Sequence, residues 1–423
     1  MNNKNNEFYY PASLDIPYKP LGFPMGVPRT SFVGVRPQHR SLPPLVLPGT
    51  NLPRAINYLA DYGGCGAWRQ AFPAMLLNFK QRAIIMDLTV MLTDPRIYET
   101  VKSVRLQRQA TPHQLQFVKF LKEVGKKTGV QIIYEIDDIV FKEDIPDYNR
   151  CKTAFDNPEI LESIKEMMSV SDEISVTCEY MKQYYINKTG NKRVTVIPNY
   201  PPRQWFDRYY DENRLDINYD KHKKRPKVAY FGSGTHIDVQ NKTNQKDDFS
   251  NVVVDIIKSR KDIHWVFCGA FPLPAKPFID NGEMTYVDWA ILPDYPKRIS
   301  DVLPNMTFAP LLDNTFNRAK SEIKFLEAAC LGIPCIAQNL ITYKNAFVKF
   351  NTGAELVDQV KSVMKDKNAY MKLCRKSRAY ADATFLDEHL DEHYAVYFTK
   401  WGSKERNKIA PQLIKNNPDQ KNI

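Results

Sequence analysis

Residues 316–339 read FNRAKSEIKFLEAACLGIPCIAQN. Read as a helix, Lys320, Lys324 and Glu327 stand at i, i+4 and i+7, spacings that share one helical face. Ile323, Leu326 and Cys330 line a neighbouring apolar face. Gly332 and Pro334 then stop the helix, and PCIAQN (334–339) continues as a short apolar strand. A helix running straight into a buried strand is half of a parallel αβ unit, and such a unit needs the same alternation on either side.

That alternation is present. Before the quoted stretch come KVAYFGSGTH (227–236), a helix at about 247–259, HWVFCGA (264–270), MTYVDWA (284–290), a helix near 295–302 and MTFAPLL (306–312). A helix from about 354 and two further helices, KNAYMKLCRKSRAYADA (367–383) and LDEHLDEHYAVYFTKWG (386–402), follow it. The first half has the same form. AINYLA (55–60) is a strand and DYGGCG (61–66) a glycine-rich turn. AWRQAFPAMLLNFK (67–80) is a helix with a kink near Pro73, and RAIIMDL (82–88) and VKSVRLQ (101–107) are strands. TPHQLQFVKFLKEVGKKTG (111–129) is an amphipathic helix with a threonine cap and a glycine stop. VQIIYEIDDIVF (130–141) is a buried strand with an acidic end. Helix, strand, helix and strand follow up to RVTVIPN (193–199).

The fold class expected is therefore α/β, two doubly wound Rossmann-like domains facing a central cleft. The expected divisions are an extended arm at 1–54, a first domain at 55–205, a linker at 206–226, a second domain at 227–380, and a C-terminal helix and basic tail at 381–423. The arm holds ten of the 29 prolines, a density that forbids helix and central strand.

Hydrophobic content of 43% and charged content of 25% are ordinary for a globular chain. No apolar run reaches the length of a membrane span, and MNNKNNEFYYPAS lacks a signal-peptide core, so a cytoplasmic protein with no membrane partner is expected. Seven scattered cysteines without a C-x-x-C pair point to neither a disulfide framework nor a zinc ribbon. The net charge is +11. Residues 1–54 carry +4 of it and residues 400–423 another +4, which leaves +3 for the body. Basic arms of this kind grip nucleic acid or are simply solvated.

In open α/β sheets ligands bind outside the carboxyl ends of the strands. YFGSGTHID (230–238) lies at such an end. Its small residues let backbone N–H groups approach a phosphate, or it is a tight turn and nothing more; it is not a Walker loop. Lys320 and Ser321 near a helix N-terminus make an anion site. Glu327, two turns further in, suits a vicinal diol. Phosphate donors at one end and a diol acceptor at the other fit a nucleoside diphosphate. The bland alternative is a solvated face of ion pairs worth ~0.5 kcal/mol each. In YEIDD (134–138), Asp137 or Asp138 could accept a proton from an acceptor hydroxyl. A second reading makes Glu135 and Asp137 metal ligands, and a third makes the pair a structural cap. Arg69 and Arg108 could meet phosphates or serve structural ion pairs. HLDEH (389–393) resembles a zinc helix only superficially, and the four carboxylates around it mark a charged, exposed face.

Several of these segments together resemble GT-B glycosyltransferases, particularly the branch related to family 4 and its phage-encoded members, including those that modify hydroxymethylcytosine in DNA. The segments are YGGCGAWRQAFPA (62–74), LQRQ (106–109), YEIDDIVF (134–141), VTVIPNYPP (194–202), YFGSGTH (230–236), APLLDNTFNRAKS (309–321) and KSEIKFLEAACLGIPCIA (320–337). They occur in family order over roughly residues 55–400; the arm is not covered. The resemblance implies that Gly232, Ser233 and His236 contact the donor diphosphate or sugar. It implies that Lys320 and Ser321 hold the diphosphate and Glu327 the ribose, while Gly64 and Gly66 shape the acceptor floor. It implies a nucleotide sugar, UDP-linked by family habit, as co-substrate, with no obligatory cofactor and no metal. One position departs. Related retaining enzymes carry a glutamate eight residues before the second one, where this chain has Ala319. Sugar contacts would then fall to Asp313 or Asn317, and both retention and inversion stay open.

Two acceptors fit. One is 5-hydroxymethylcytosine in double-stranded DNA, receiving glucose or arabinose; the other is a glycan, lipid-linked sugar or protein. A non-catalytic nucleic-acid-binding module is the reading from another class, and intact Lys320, Glu327 and YEIDD argue against it.

Overall fold

The computed structural model describes residues 51–61, 63–238, 246–404 and 406. The proline-rich arm up to residue 50 and the basic tail beyond 406 lie outside them. Short β-branched and aromatic runs become strands, and amphipathic stretches of eight to eighteen residues become the helices that cover both faces.

Two six-stranded, wholly parallel sheets result. The first contains β1 (Arg54–Tyr58), β2 (Ile84–Leu88), β3 (Val101–Gln107), β4 (Gln131–Glu135), β5 (Glu173–Val176) and β6 (Val194–Val196), ordered β2-β1-β3-β4-β5-β6. The second contains β7 (Lys227–Phe231), β8 (His264–Cys268), β9 (Thr285–Val287), β10 (Met306–Ala309), β11 (Cys335–Gln338) and β12 (Val348–Phe350), ordered β12-β11-β10-β7-β8-β9. Chain direction across each sheet reverses once, between β1 and β3 and between β7 and β10. In open α/β sheets such reversal points are where ligand crevices form.

Six helices matter for the site: α1 (Phe72–Phe79), α2 (Pro112–Thr128), α3 (Thr315–Arg318), α4 (Ile323–Cys330), α5 (Lys367–Thr384) and α6 (Leu390–Phe398). The turn before α1, Ala67–Ala71, is π-helical. Pro73 offers no N–H to the Arg69 carbonyl and its ring crowds that oxygen, so the widened turn is where the kink expected near Pro73 is absorbed. α2 carries the cap read from sequence: Thr111 and Gln114 form a capping box, and Gly129 ends the helix at φ +77°.

Three expectations change. The stretch 206–226, expected as a linker, holds a helix at Glu212–His222 whose Leu215 and Tyr219 are packed into the second core. Its apolar residues are sparse, so its periodicity is faint. The single helix expected over the opening stretch is two helices, α3 and α4, with Ala319–Glu322 between them. The HLDEH segment is exposed only in part: Asp391 faces outward, but the histidines do not. His393 is buried, and His389 precedes α6 and stacks on Tyr200 with centroids 4.0 Å apart. α6 folds back onto the first domain, where the Tyr397 hydroxyl donates to Asn57 Oδ1 at 2.8 Å. The cysteines are all unpaired thiols. Among the described residues no helix is long and apolar enough to cross a membrane.

Candidate functional site

The loops that leave β7 and β10 meet at the second reversal point. After β7 come Gly232, Ser233 and a 3-10 turn at Gly234–His236. A Cβ on Gly232 would lie 2.2 Å from the Tyr230 hydroxyl, so no larger residue fits there. Ser233 Oγ is 2.7 Å from Thr235 Oγ1.

His236 is buried and held from both sides. Its Nδ1 is 2.8 Å from Asp248 Oδ2 and its Nε2 is 3.1 Å from Lys324 Nζ. Burial and the neighbouring Lys324 ammonium outweigh Asp248 and push the imidazole pKa down to about 4, so the ring is neutral at pH 7. Burial alone would raise Asp248, but hydrogen bonds led by that from His236 bring it below its ordinary value, and it is ionised. An ionised carboxylate only accepts. The imidazole proton therefore sits on Nδ1, and Nε2 accepts from Lys324. Asp248 Oδ1 accepts three more bonds: from Asn317 Nδ2 at 2.6 Å, the Leu312 amide at 2.9 Å and the Tyr148 hydroxyl of the first domain at 2.9 Å.

On α4, Lys324 and Glu327 face the same way. Burial and Lys320 push the Lys324 pKa down to about 8, and burial pushes Glu327 up to about 7 despite the Tyr295 hydroxyl donating to it at 2.8 Å. Lys320 lies in the break between α3 and α4. Its ammonium is 3.1 Å from Asp138 Oδ1 across the cleft and 4.2 Å from the Phe316 ring centroid. Ser321 Oγ accepts from Asn199 Nδ2 at 2.9 Å, leaving its own proton to donate.

Across the cleft the first reversal point is organised by Asp61. One carboxylate oxygen accepts from the amides of Gly63 at 2.7 Å and Gly66 at 3.3 Å; the other accepts from Arg108 Nη2 at 2.8 Å. Arg108 sits at φ +45°, a left-handed backbone that non-glycine residues seldom adopt and that gathers at ligand sites. Its Nε is 3.3 Å from Asp137 Oδ1. Burial would raise Asp137, but Arg108 and the Cys65 thiol hold it below its ordinary value. Asp137 and Asp138 follow β4 rather than belonging to it, yet they still diverge: Asp137, 10% exposed, turns to Arg108, and Asp138, 24% exposed, turns to Lys320.

Arg69 is wholly buried. It binds Glu135 Oε1 at 2.5 Å, the Ile197 carbonyl at 2.6 Å and Asn199 Oδ1 at 2.9 Å. The other Glu135 oxygen is bound by Arg105 and Ser175. Held between two buried arginines, Glu135 serves a structural ion-pair network, which counts against the reading of Glu135 and Asp137 as metal ligands. Among the described residues no group of three or more His, Cys, Asp and Glu could hold a metal ion.

Gly232, Ser233, His236, Lys320, Ser321 and Glu327 thus gather on the second-domain wall, and Gly64, Gly66, Arg108, Asp137 and Asp138 on the first-domain wall. Asp313 is exposed and paired with Arg318 at 2.5 Å. Asn317 is buried beneath the site, where it holds Asp248. Ala319 is buried too, its carbonyl 3.4 Å from Cys178 Sγ. Sequence reasoning put Lys324 on the right face but gave it no role, and it passed over Asp61, Tyr148, Asn199, Asp248 and Tyr295. Asp61, in the quoted DYGGCG, and Asn199, in the quoted VTVIPNYPP, stood in motifs that had drawn attention for their other residues.

No protein-family model matches the sequence, nor does any curated protein sequence. Solved structures do match. The chain is similar to HepE of Anabaena in complex with UDP, with TM-score 0.52, 8% identity, and coverage of 86% of this chain and 100% of that one. HepE with UDP and glucose gives TM-score 0.50 and 10% identity over 85% and 99% of the two chains. The chain has the GT-B fold. At these identities the likeness is one of fold, and a GT-B chain places its two reversal points on opposite walls of one cleft. That is where the Lys320, Lys324, His236 and Glu327 cluster and the Asp61, Arg108, Asp137 and Asp138 cluster stand.

Proposed function

We propose that this GT-B chain is a glycosyltransferase that moves a sugar, glucose or arabinose, from a UDP-linked donor to the hydroxymethyl group of 5-hydroxymethylcytosine in phage DNA. The observation that carries the transfer reading is the Lys320 and Lys324 ammonium pair beside buried Glu327, at the carboxyl edge where β7 and β10 adjoin. Two cations there suit a diphosphate, and a buried carboxylate accepting hydroxyl bonds suits a ribose diol. The complexes of HepE with UDP support the choice of nucleotide.

In the transfer, the acceptor oxygen forms a bond to the anomeric carbon as the carbon–oxygen bond to the diphosphate breaks. The electron pair leaves with the diphosphate, where Lys320 and Lys324 neutralise it. The acceptor proton passes to Asp138, which is more accessible than Asp137 and is not committed to Arg108.

DNA as acceptor is supported by the net charge of +11 and by the resemblance of the motifs to phage-encoded members. Reaching the base would require flipping it out of the duplex, at a cost of roughly a few kcal/mol. A glycan acceptor is favoured by one observation, the near-neutral body that remains once the terminal segments are set aside. The deciding experiment is mass spectrometry of nucleosides from hydroxymethylcytosine duplex incubated with the protein and a pool of nucleotide sugars. A gain of one pentose or hexose on the modified base is expected. UDP binding without any gain would overturn the DNA acceptor and move the search to saccharides.

A further inference from the structure

The pair between Lys320 and Asp138 joins the two walls of the cleft. It joins a residue read as a diphosphate ligand to one read as the proton acceptor, so the argument here rests on the function proposed above. Both side chains are partly accessible, at 18% and 24%. Lys324 is fixed by His236 and cannot swing without losing that bond. Lys320 is bonded instead across the cleft, to the opposite wall. It stands between two helices, with its ammonium hydrogen-bonded to Asp138 and set against the Phe316 ring.

A diphosphate entering beside Lys324 brings negative charge next to the Asp138 carboxylate. If Lys320 stayed on Asp138, the two anions would face each other in a poorly solvated cleft with one cation between them. If Lys320 turns to the diphosphate, the stronger charge is neutralised and Asp138 is released. We propose that Lys320 is exchanged between Asp138 and the donor: Asp138 holds it in the donor-free protein, the diphosphate takes it, and the carboxylate is freed to receive the acceptor proton only then. The exchange makes binding ordered, donor first. It also lowers donor affinity, since Asp138 competes for the same ammonium.

The test is a double-mutant cycle on UDP binding by calorimetry at fixed pH and salt, with thermal unfolding to show that each variant is folded. Asp138→Asn removes the competitor and is expected to tighten UDP binding about 3- to 10-fold. Lys320→Met should weaken it 10-fold or more. In the Lys320→Met background, Asp138→Asn should tighten binding clearly less, by the residual charge repulsion alone. Tightening of equal size with and without Lys320 would mean simple charge repulsion and would overturn the exchange. So would folded Asp138→Asn protein that binds UDP equally or less well. Wild-type protein that binds no uridine nucleotide would instead overturn the donor reading itself, and the exchange with it.

Discussion

Glu327 and Lys324 stand three residues apart on α4, and the same burial shifts them in opposite directions. In the function proposed above, a ribose diol would donate to an ionised Glu327 and a diphosphate would need a protonated Lys324. Affinity for UDP-glucose, whose diphosphate does not titrate near neutrality, should therefore rise as pH climbs through about 7 and fall beyond about 8. Calorimetry from pH 5.5 to 9.5 would read this, and a flat profile would remove both residues from the nucleotide site. Stability carries a separate signature. Glu327 keeps its proton to about 7 in the folded protein, whereas the unfolded chain loses it near 4.5. The folded state binds more protons in that window, so stability falls as pH rises through it. Glu327→Gln removes the titration. Relative to wild type, the variant should gain on the order of 1–3 kcal/mol between pH 4.5 and 7.5 in denaturant melts. A gap between the two proteins that does not change with pH would show that Glu327 does not titrate there.

The turn from Asp61 to Gly66 illustrates how an element was legible while its reason was not. Its glycines announced a tight backbone, but only the structure separates them. A Cβ on Gly66 would stand 1.8 Å from the Asp61 carbonyl oxygen, whereas one on Gly64 would meet nothing within 4 Å. Gly66→Ala should lower stability by about 2 kcal/mol or more, with loss of transfer, and Gly64→Ala should change stability by less than about 0.5 kcal/mol. Thermal melts of the two variants make the comparison, and equal effects would place the constraint elsewhere. The opening stretch shows the converse. Its i, i+4, i+7 pattern was correct for the α4 face but was extended through Lys320, where the helix is broken. The break is a tertiary event: Asn317 turns inward to Asp248, and the Ala319 carbonyl takes the Cys178 thiol, from residues 69 and 141 positions away in the chain. No local pattern encodes that. Strand and helix alternation is local, which is why both sheets could be read and the hydrogen bonds beneath His236 could not.

At the scale of the whole molecule the two domains meet through bonds that also serve the site. Tyr148 of the first domain donates to Asp248, Asn199 donates to Ser321, and Asp138 pairs with Lys320. Contact between the domains and the arrangement around Lys324 are expected to be coupled, because Asp248 both receives Tyr148 and sets the His236 tautomer that holds Lys324. Tyr148→Phe tests the link with little change of volume. A hydrogen bond to a charged acceptor contributes about 1.5–3 kcal/mol, so its loss should shift the equilibrium between closed and open cleft by roughly 10- to 100-fold. The radius of gyration from small-angle scattering should rise in donor-free protein and return toward the wild-type value when UDP is added. The donor KM should rise with it, while each domain keeps its own melting behaviour, since Asp248 still receives Asn317 and the Leu312 amide. If scattering is unchanged and only KM rises, Tyr148 acts on the imidazole alone. If neither moves, closure rests on the remaining pairs and on α6, whose Tyr397 ties the end of the second domain to β1 through Asn57.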